Sequence, residues 1–202
     1  MEIRKKSYGY YAISIDLIDS QKILRSNNER AFVISLFQDL LSPRLLLDTA
    51  PAHSQLATCL DLLAFSITTS SIECALFSID ASITRQFLDC LLGRLREYQE
   101  GYRIHHTCAT PAPRIRIRKL RGPHHALAHS VMLHMRHEDW EYDRYSSIGF
   151  YLHDRRGDWM RTWRLAQLYD NNAAQYRQLL EEYTAHHTLR TLRPTTLQSF
   201  SS

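Results

Sequence analysis

Between Gly101 and His137 the chain has no aspartate or glutamate. Seven of its 25 Lys and Arg residues fall in that stretch: Arg103, Arg114, Arg116, Arg118, Lys119, Arg121 and Arg136. The remainder carries 18 basic and 21 acidic residues, net −3, so the overall charge of +4 comes from one block of 37 residues. A block this one-sided points to a polyanionic partner rather than an ordinary solvated face. Cysteine is equally scarce. Of Cys59, Cys74, Cys90 and Cys108, none form a Cys-x-x-Cys pair, and the first three sit inside apolar runs. They read as small buried hydrophobes rather than a disulfide framework or zinc site. No apolar run is long enough to cross a bilayer. The apolar residues after the basic start "MEIRKKS" alternate with polar ones, a strand pattern rather than a leader's core. A cytoplasmic protein without a membrane partner is therefore expected.

What is present suits one globular domain with extensions. Hydrophobic residues make up 44% of the 202, enough for a packed core. "YYAISIDL" (10–17) alternates as a first strand. In "SNNERAFVISLFQDLL" Ser26 and Glu29 have capping-box spacing, and Phe32, Leu36 and Leu40, flanked by Val33 and Phe37, form one apolar stripe. Ser42-Pro43 ends that helix, because proline cannot continue the hydrogen-bond ladder. A connector over 44–56 leads to "ATCLDLLAFSIT" and "IECALFSI", two strands joined by a short polar turn as a hairpin. A second amphipathic helix follows, capped by Asp80 or Ser82 and packed through Ile83, Phe87, Leu91 and Leu95. After a loop over 105–113, "RIRIRKL" is the fourth strand. Its alternation sends Arg114, Arg116 and Arg118 to one face, about 7 Å apart, and Ile115 and Ile117 to the other. "HHALAHSVMLHMRH" is a third helix, and "DNNAAQYRQLLEEYTAH" a further one packed through Tyr176, Leu179, Leu180 and Tyr183.

Strand, helix, strand, strand, helix, strand is the split β-α-β order. The expected fold is α+β, ferredoxin-like (βαββαβ), an antiparallel sheet with helices on one face, the other face left to bind, and a C-terminal helical extension. The domain spans 8–152, the extension 153–187, and 188–202 reads as a disordered tail.

Four segments carry a family resemblance. "YYAISIDLIDSQKILRSNNERAFVISLFQDLL", "LLAFSITTSSIECALF", "WEYDRYSSIGFYL" with Tyr142, Ser146 and Ser147, and "DWMRTWRLAQLYDNNAAQYRQLLEEY" together resemble the HUH single-tyrosine transposases, in particular the branch associated with repetitive extragenic palindromes. The resemblance implies two histidines at i and i+2 on a strand, holding a divalent metal that polarises a DNA phosphate, and a helix tyrosine that attacks it. Here the histidine places hold Ser71 and Glu73, and the tyrosine's place falls on Met132. No tyrosine lies between Tyr102 and Tyr142. Serine is a poor ligand, and one carboxylate is a weak site for a hard cation. The resemblance thus implies a DNA-binding protein derived from a transposase, catalytically inactive and recruited to a host role. Its ligand would be single-stranded or hairpin DNA, with no resident cofactor, as monomer or homodimer. The DNA-binding residues on this reading are Arg114, Arg116, Arg118, Lys119 and Arg121.

Two alternatives stay open. One is an active strand transferase using Mg or Mn, with Tyr98 or Tyr102 as substitute nucleophile and Glu73 joined by Asp16 or Asp61 at a rebuilt metal site. The other is a protein-interaction module that no longer binds DNA. The histidines read first as titrating surface groups, which would strengthen anion binding below about pH 6.5. His125 and His129, four apart on a helix, also have the spacing of metal ligands.

Overall fold

The structure, a computed structural model, describes residues 8–17, 24, 26–43, 56–103, 113–136, 139–153 and 155–191. The expected connector over 44–55, most of the loop before the fourth strand with Cys108, His137, and residues 192–202 lie outside that set.

Four strands form one sheet: β1 (Gly9–Asp16), β2 (Leu60–Ile67), β3 (Ser71–Ser78) and β4 (Arg114–Leu120). Their spatial order is β2-β3-β1-β4, and every neighbouring pair is antiparallel. Helix α1 (Asn27–Leu41) follows β1, and α2 (Ala81–Arg103) follows β3. This is an α+β, ferredoxin-like arrangement. Local chemistry fixes the helix starts. The Ser26 hydroxyl accepts the Glu29 N–H while the Glu29 carboxylate accepts the Ser26 N–H at 2.7 Å. Asp80 accepts the N–H of Ser82 at 2.8 Å at the head of α2. The stretch expected to open β2 differs: residues 57–59 are helical, and the strand begins at Leu60.

Helices α1 and α2 bury Phe37, Leu40, Phe87 and Leu91 against Ile13, Ile15, Phe65, Ile72 and Cys74 on one face of the sheet. The opposite face is not left open, which corrects the expectation of helices on one side only. Helix α3 (Pro123–His134) lies across β1, β2 and β3 there. Behind it come α4 (Gly149–Leu152), α5 (Trp163–Ala166) and α6 (Ala173–Thr191). The reason is a row of methyl groups. Ala64 pairs with Ala75, and Ala75 with Ala12, so three alanines line up across β2, β3 and β1. A bulge between Leu62 and Ala64 puts Leu63 and Ala64 on the same side and brings Ala64 opposite Ala75. With no larger side chain in the row, α3 can approach closely and bury Ala126, Leu127, Val131 and Leu133. The segment expected as an extension contributes Leu165, Tyr169, Tyr176 and Leu180 to the same apolar cluster. Helix α6 continues to Thr191, into the expected tail.

The β2 edge is covered. Ser147 donates its N–H to the carbonyl of Phe65, Ile67 to that of Tyr145, and Arg161 to that of Leu62, at 2.9–3.0 Å. Ser147 is tied in further: its Oγ accepts the Phe65 N–H at 2.9 Å and lies 2.6 Å from Nε2 of His134, whose Nδ1 lies 2.8 Å from the Tyr176 hydroxyl. His134, Ser147 and Tyr176 are fully buried. This network joins β2, α3 and α6 and satisfies polar atoms that would otherwise be orphaned.

Burial holds the His134 pKa at about 3, below the ordinary 6.5, so between those values the unfolded chain binds a proton that the native ring refuses. That contribution is complete above pH 6.5 and is lost as pH falls toward 3, at up to about 1.4 kcal/mol per pH unit. Urea unfolding between pH 7 and pH 4 should show stability falling with acid, and His134→Gln should flatten that slope by one histidine's share. Tyr176→Phe, which leaves Nδ1 without its hydroxyl, should cost about 1–3 kcal/mol.

Candidate functional site

The face under α3 is organised in cross-strand rows. Beyond the alanine row, Ser66 pairs with Glu73, Glu73 with Ser14, and Ser14 with Arg116. The next row runs from Ser71 through Asp16 to Arg114. The alanine row itself ends on β4 at Arg118, opposite Ala12. The surface therefore turns from apolar to ionic along the strands, and from neutral to cationic toward β4. Helix α3 starts just after Leu120 and runs back toward the ionic rows. Its far end delivers Arg136 to Glu73. Where α3 stops, a cleft of about 440 Å³ opens, bordered by Ser14, Asp16, Glu73, Arg116, Arg118, His129 and Arg136.

Each carboxylate in this cleft has an arginine. Asp16 holds Arg116 at 3.0 Å, and Glu73 holds Arg136. Glu73 is buried, and burial first of all raises its pKa, against the lowering influence of Arg136. Asp61, the other acid considered beside Glu73, pairs in register with Phe77, two rows away, and binds Arg164 at 2.6 Å. Asp16 and Glu73 thus lie on adjacent strands, one row apart, but each faces a guanidinium. No group of three His, Cys, Asp or Glu able to hold a metal occurs among the described residues.

Ser71 and Glu73 share a face, as their i, i+2 spacing requires, and Ser71 Oγ lies 2.9 Å from the Thr68 hydroxyl within the hairpin turn. Met132 stands on the face of α3 shared by His129 and Arg136, half-buried against the apolar cluster. Tyr98 lies on α2, stacked on Phe32 at 4.3 Å, so the sheet separates it from Glu73. The backbone of Tyr102 belongs to α2, and its side chain lies outside the described residues. The β4 arginines are exposed as the alternation predicts. Two of the named basic residues differ. Lys119 pairs with Tyr11 and points to the opposite face, since alternation separates it from Arg118. Arg121 lies past the end of β4.

The histidines also depart from expectation. His124 and His125 are exposed, but His129 and His134 are buried. Burial, then the charges of Arg118 and Arg136, hold the pKa of His129 at about 4. Neither buried ring adds positive charge in mild acid, so their share of the expected acid strengthening is absent. His129 Nδ1 has no hydrogen-bond partner among the described residues, a state that costs about 1–3 kcal/mol for a buried polar atom. Sequence reading places Arg136 in the basic block and in the segment matched to the family's tyrosine helix, and His129 among the titrating or metal-spaced histidines, without joining the two. The seven-residue interval between them, two turns on one helix face, was the available signal. No family model, curated protein or solved structure matches this chain.

The Glu73–Arg136 pair yields a stability prediction. Arg136→Ala strands a buried carboxylate and should cost about 1–3 kcal/mol, less than for a wholly buried pair because Arg136 keeps part of its surface in water. The Glu73 titration should move further up in that variant. Adding Glu73→Gln should recover part of the loss in a denaturant series, since no charge is then left unpaired.

Proposed function

We propose that the chain binds the phosphate backbone of single-stranded or hairpin DNA through β4 and the adjoining cleft, and holds it without cutting it. The observation that carries this reading is convergence: Arg114, Arg116 and Arg118 stand in a row on the face of β4 toward which Arg136 projects from the end of α3. Arg114 and Arg118 have no ion-pair partner among the described residues, so their charge is available to a polyanion. Guanidinium groups suit phosphate because they offer paired N–H donors in a fixed plane. A row of them along a strand follows a nucleic-acid backbone without reading its bases. Holding without cutting is supported by what occupies the places where the resembled transposases carry their chemistry. Ser71 is engaged by Thr68, Glu73 is neutralised by Arg136, and Met132 has no attacking oxygen. A transposase derivative recruited to a host role accounts for a retained grip beside these substitutions.

The protein-interaction alternative rests on Ile115 and Ile117, which are 40% and 49% exposed on the other face of the β4 edge. It does not explain why the arginines of that strand meet a fourth from α3. In an electrophoretic shift assay with a single-stranded or hairpin oligonucleotide, affinity should fall steeply with salt. Arg114→Ala and Arg118→Ala should each reduce the slope of log K against log salt by about 0.7. Absence of binding at low salt would end this reading. Recovery of a covalent protein–DNA adduct with Mg or Mn would show an active transferase instead.

A further inference from the structure

Three guanidinium groups and two carboxylates border the cleft, and the two carboxylates engage Arg116 and Arg136. Arg118 is left over. It sits at the end of the alanine row, opposite Ala12, and has no ion-pair partner among the described residues. His129, on the same helix face as Arg136, also borders the cleft; it is 8% exposed, and its ring makes no hydrogen bond among the described residues. An uncompensated guanidinium and an imidazole without a hydrogen bond, bordering one cleft, mark a place for a further group. The charge selects what that is. With His129 neutral, the lining sums to +1 (Arg116, Arg118 and Arg136 against Asp16 and Glu73), which repels a cation and balances one negative charge. A neutral imidazole can donate its one ring N–H to an oxyanion, and a guanidinium beside it supplies the charge-assisted bonds. About 440 Å³ is near the lower end of ligand-site volumes, room for one phosphate group with part of its ester rather than a folded duplex.

We propose that the cleft is a single-phosphate site in which Arg118 and the His129 imidazole hold one phosphodiester, with Arg136 as its second cationic wall. The proposal rests on the DNA-binding reading for the source of that phosphate, and it adds two binding residues, Arg136 and His129, that the β4 row does not contain. One internal phosphate of a strand running along β4 would turn inward here, which fixes the register of the strand on the protein.

The test is nitrogen–proton correlation NMR of the imidazoles in the full chain at pH 7. His129 is assigned by its absence in His129→Phe, or in His129→Gln if the first variant does not fold. A short single-stranded oligodeoxynucleotide should shift the His129 ring resonance. It should also raise the midpoint of that ring's titration above about 4, because an anion then offsets Arg118 and Arg136. His129→Phe and Arg118→Gln should each weaken oligonucleotide binding about tenfold, with the His129→Phe loss largely independent of salt. Inorganic phosphate alone is the second probe. If it moves the resonance while the oligonucleotide neither does so nor binds, the phosphate site stands and the DNA reading falls. If the oligonucleotide binds with the resonance unmoved and His129→Phe neutral, this proposal is overturned and the DNA reading stands. If neither probe acts, both are overturned.

Discussion

Everything at this site depends on three alanines in register. Ala12, Ala64 and Ala75 leave a shallow lane across the sheet, and α3 lies in it. A bulky residue in any of the three would lift the helix from the sheet, because a packed interior has no slack to absorb added methylenes. The position of α3 in turn sets where its end falls, one row further along the strands, and so decides that Arg136 meets Glu73. The same placement buries His129 beside Arg118 and presses His134 into the network with Ser147 and Tyr176. The bulge in β2 belongs to this mechanism too, since without it Ala64 would not stand opposite Ala75.

The ionic rows are governed by a second constraint, that a buried carboxylate requires a partner. Glu73 occupies a buried position on the central part of the sheet, and Asp16 lies beside it on the next strand. The charge of Asp16 adds to burial in raising the pKa of Glu73, and two carboxylates this close favour a shared cation. Here the cations are guanidiniums of the chain itself, Arg136 for Glu73 and Arg116 for Asp16. A guanidinium neutralises charge and orients hydrogen bonds but does not act as a Lewis acid toward a phosphoryl oxygen. Such a pairing therefore suits retention of a phosphate better than its activation.

The elements of the fold were legible because each rests on local chemistry. The capping box of Ser26 and Glu29, the stop at Ser42-Pro43, the hairpin at Thr68–Ser71 and the Arg–Ile alternation of β4 are all short-range patterns, and each appears where it was read. The far side of the sheet was not legible. Ala12, Ala64 and Ala75 are unremarkable letters in three separate strands, and only pairing register aligns them. Helix α3 carries histidines and a serine that look like a solvent face, yet His129, Ser130 and His134 are buried, because the sheet and α6 enclose the helix from two directions. Lys119 was grouped with the arginines by charge, whereas strand alternation separates it from them. Ser71, Glu73 and Met132 were found through resemblance, and Arg136 was missed because an arginine inside a basic block does not announce a carboxylate partner more than 60 positions earlier in the chain.

The β4 arginines have a second physical duty that bears on how much weight they carry. Among the described residues β4 is an edge strand without a covering segment, whereas β2 is sealed by Tyr145, Ser147 and Arg161. Exposed edges invite pairing with another chain, and charged side chains are a common defence. Edge protection alone, however, is indifferent to the sign of the charge and to what lies across the sheet face. It asks for no cation from a different element, and it gives no reason for a buried histidine to stand with an unmatched nitrogen next to Arg118. An antiparallel pairing of β4 with a second β4 would set arginine against arginine, so the residues that deter a protein strand are the ones that would serve the proposed phosphate strand. On the reading proposed above, anion binding would account for the convergence of Arg118, Arg136 and His129 on one cleft, and edge protection would follow from it without further assumption.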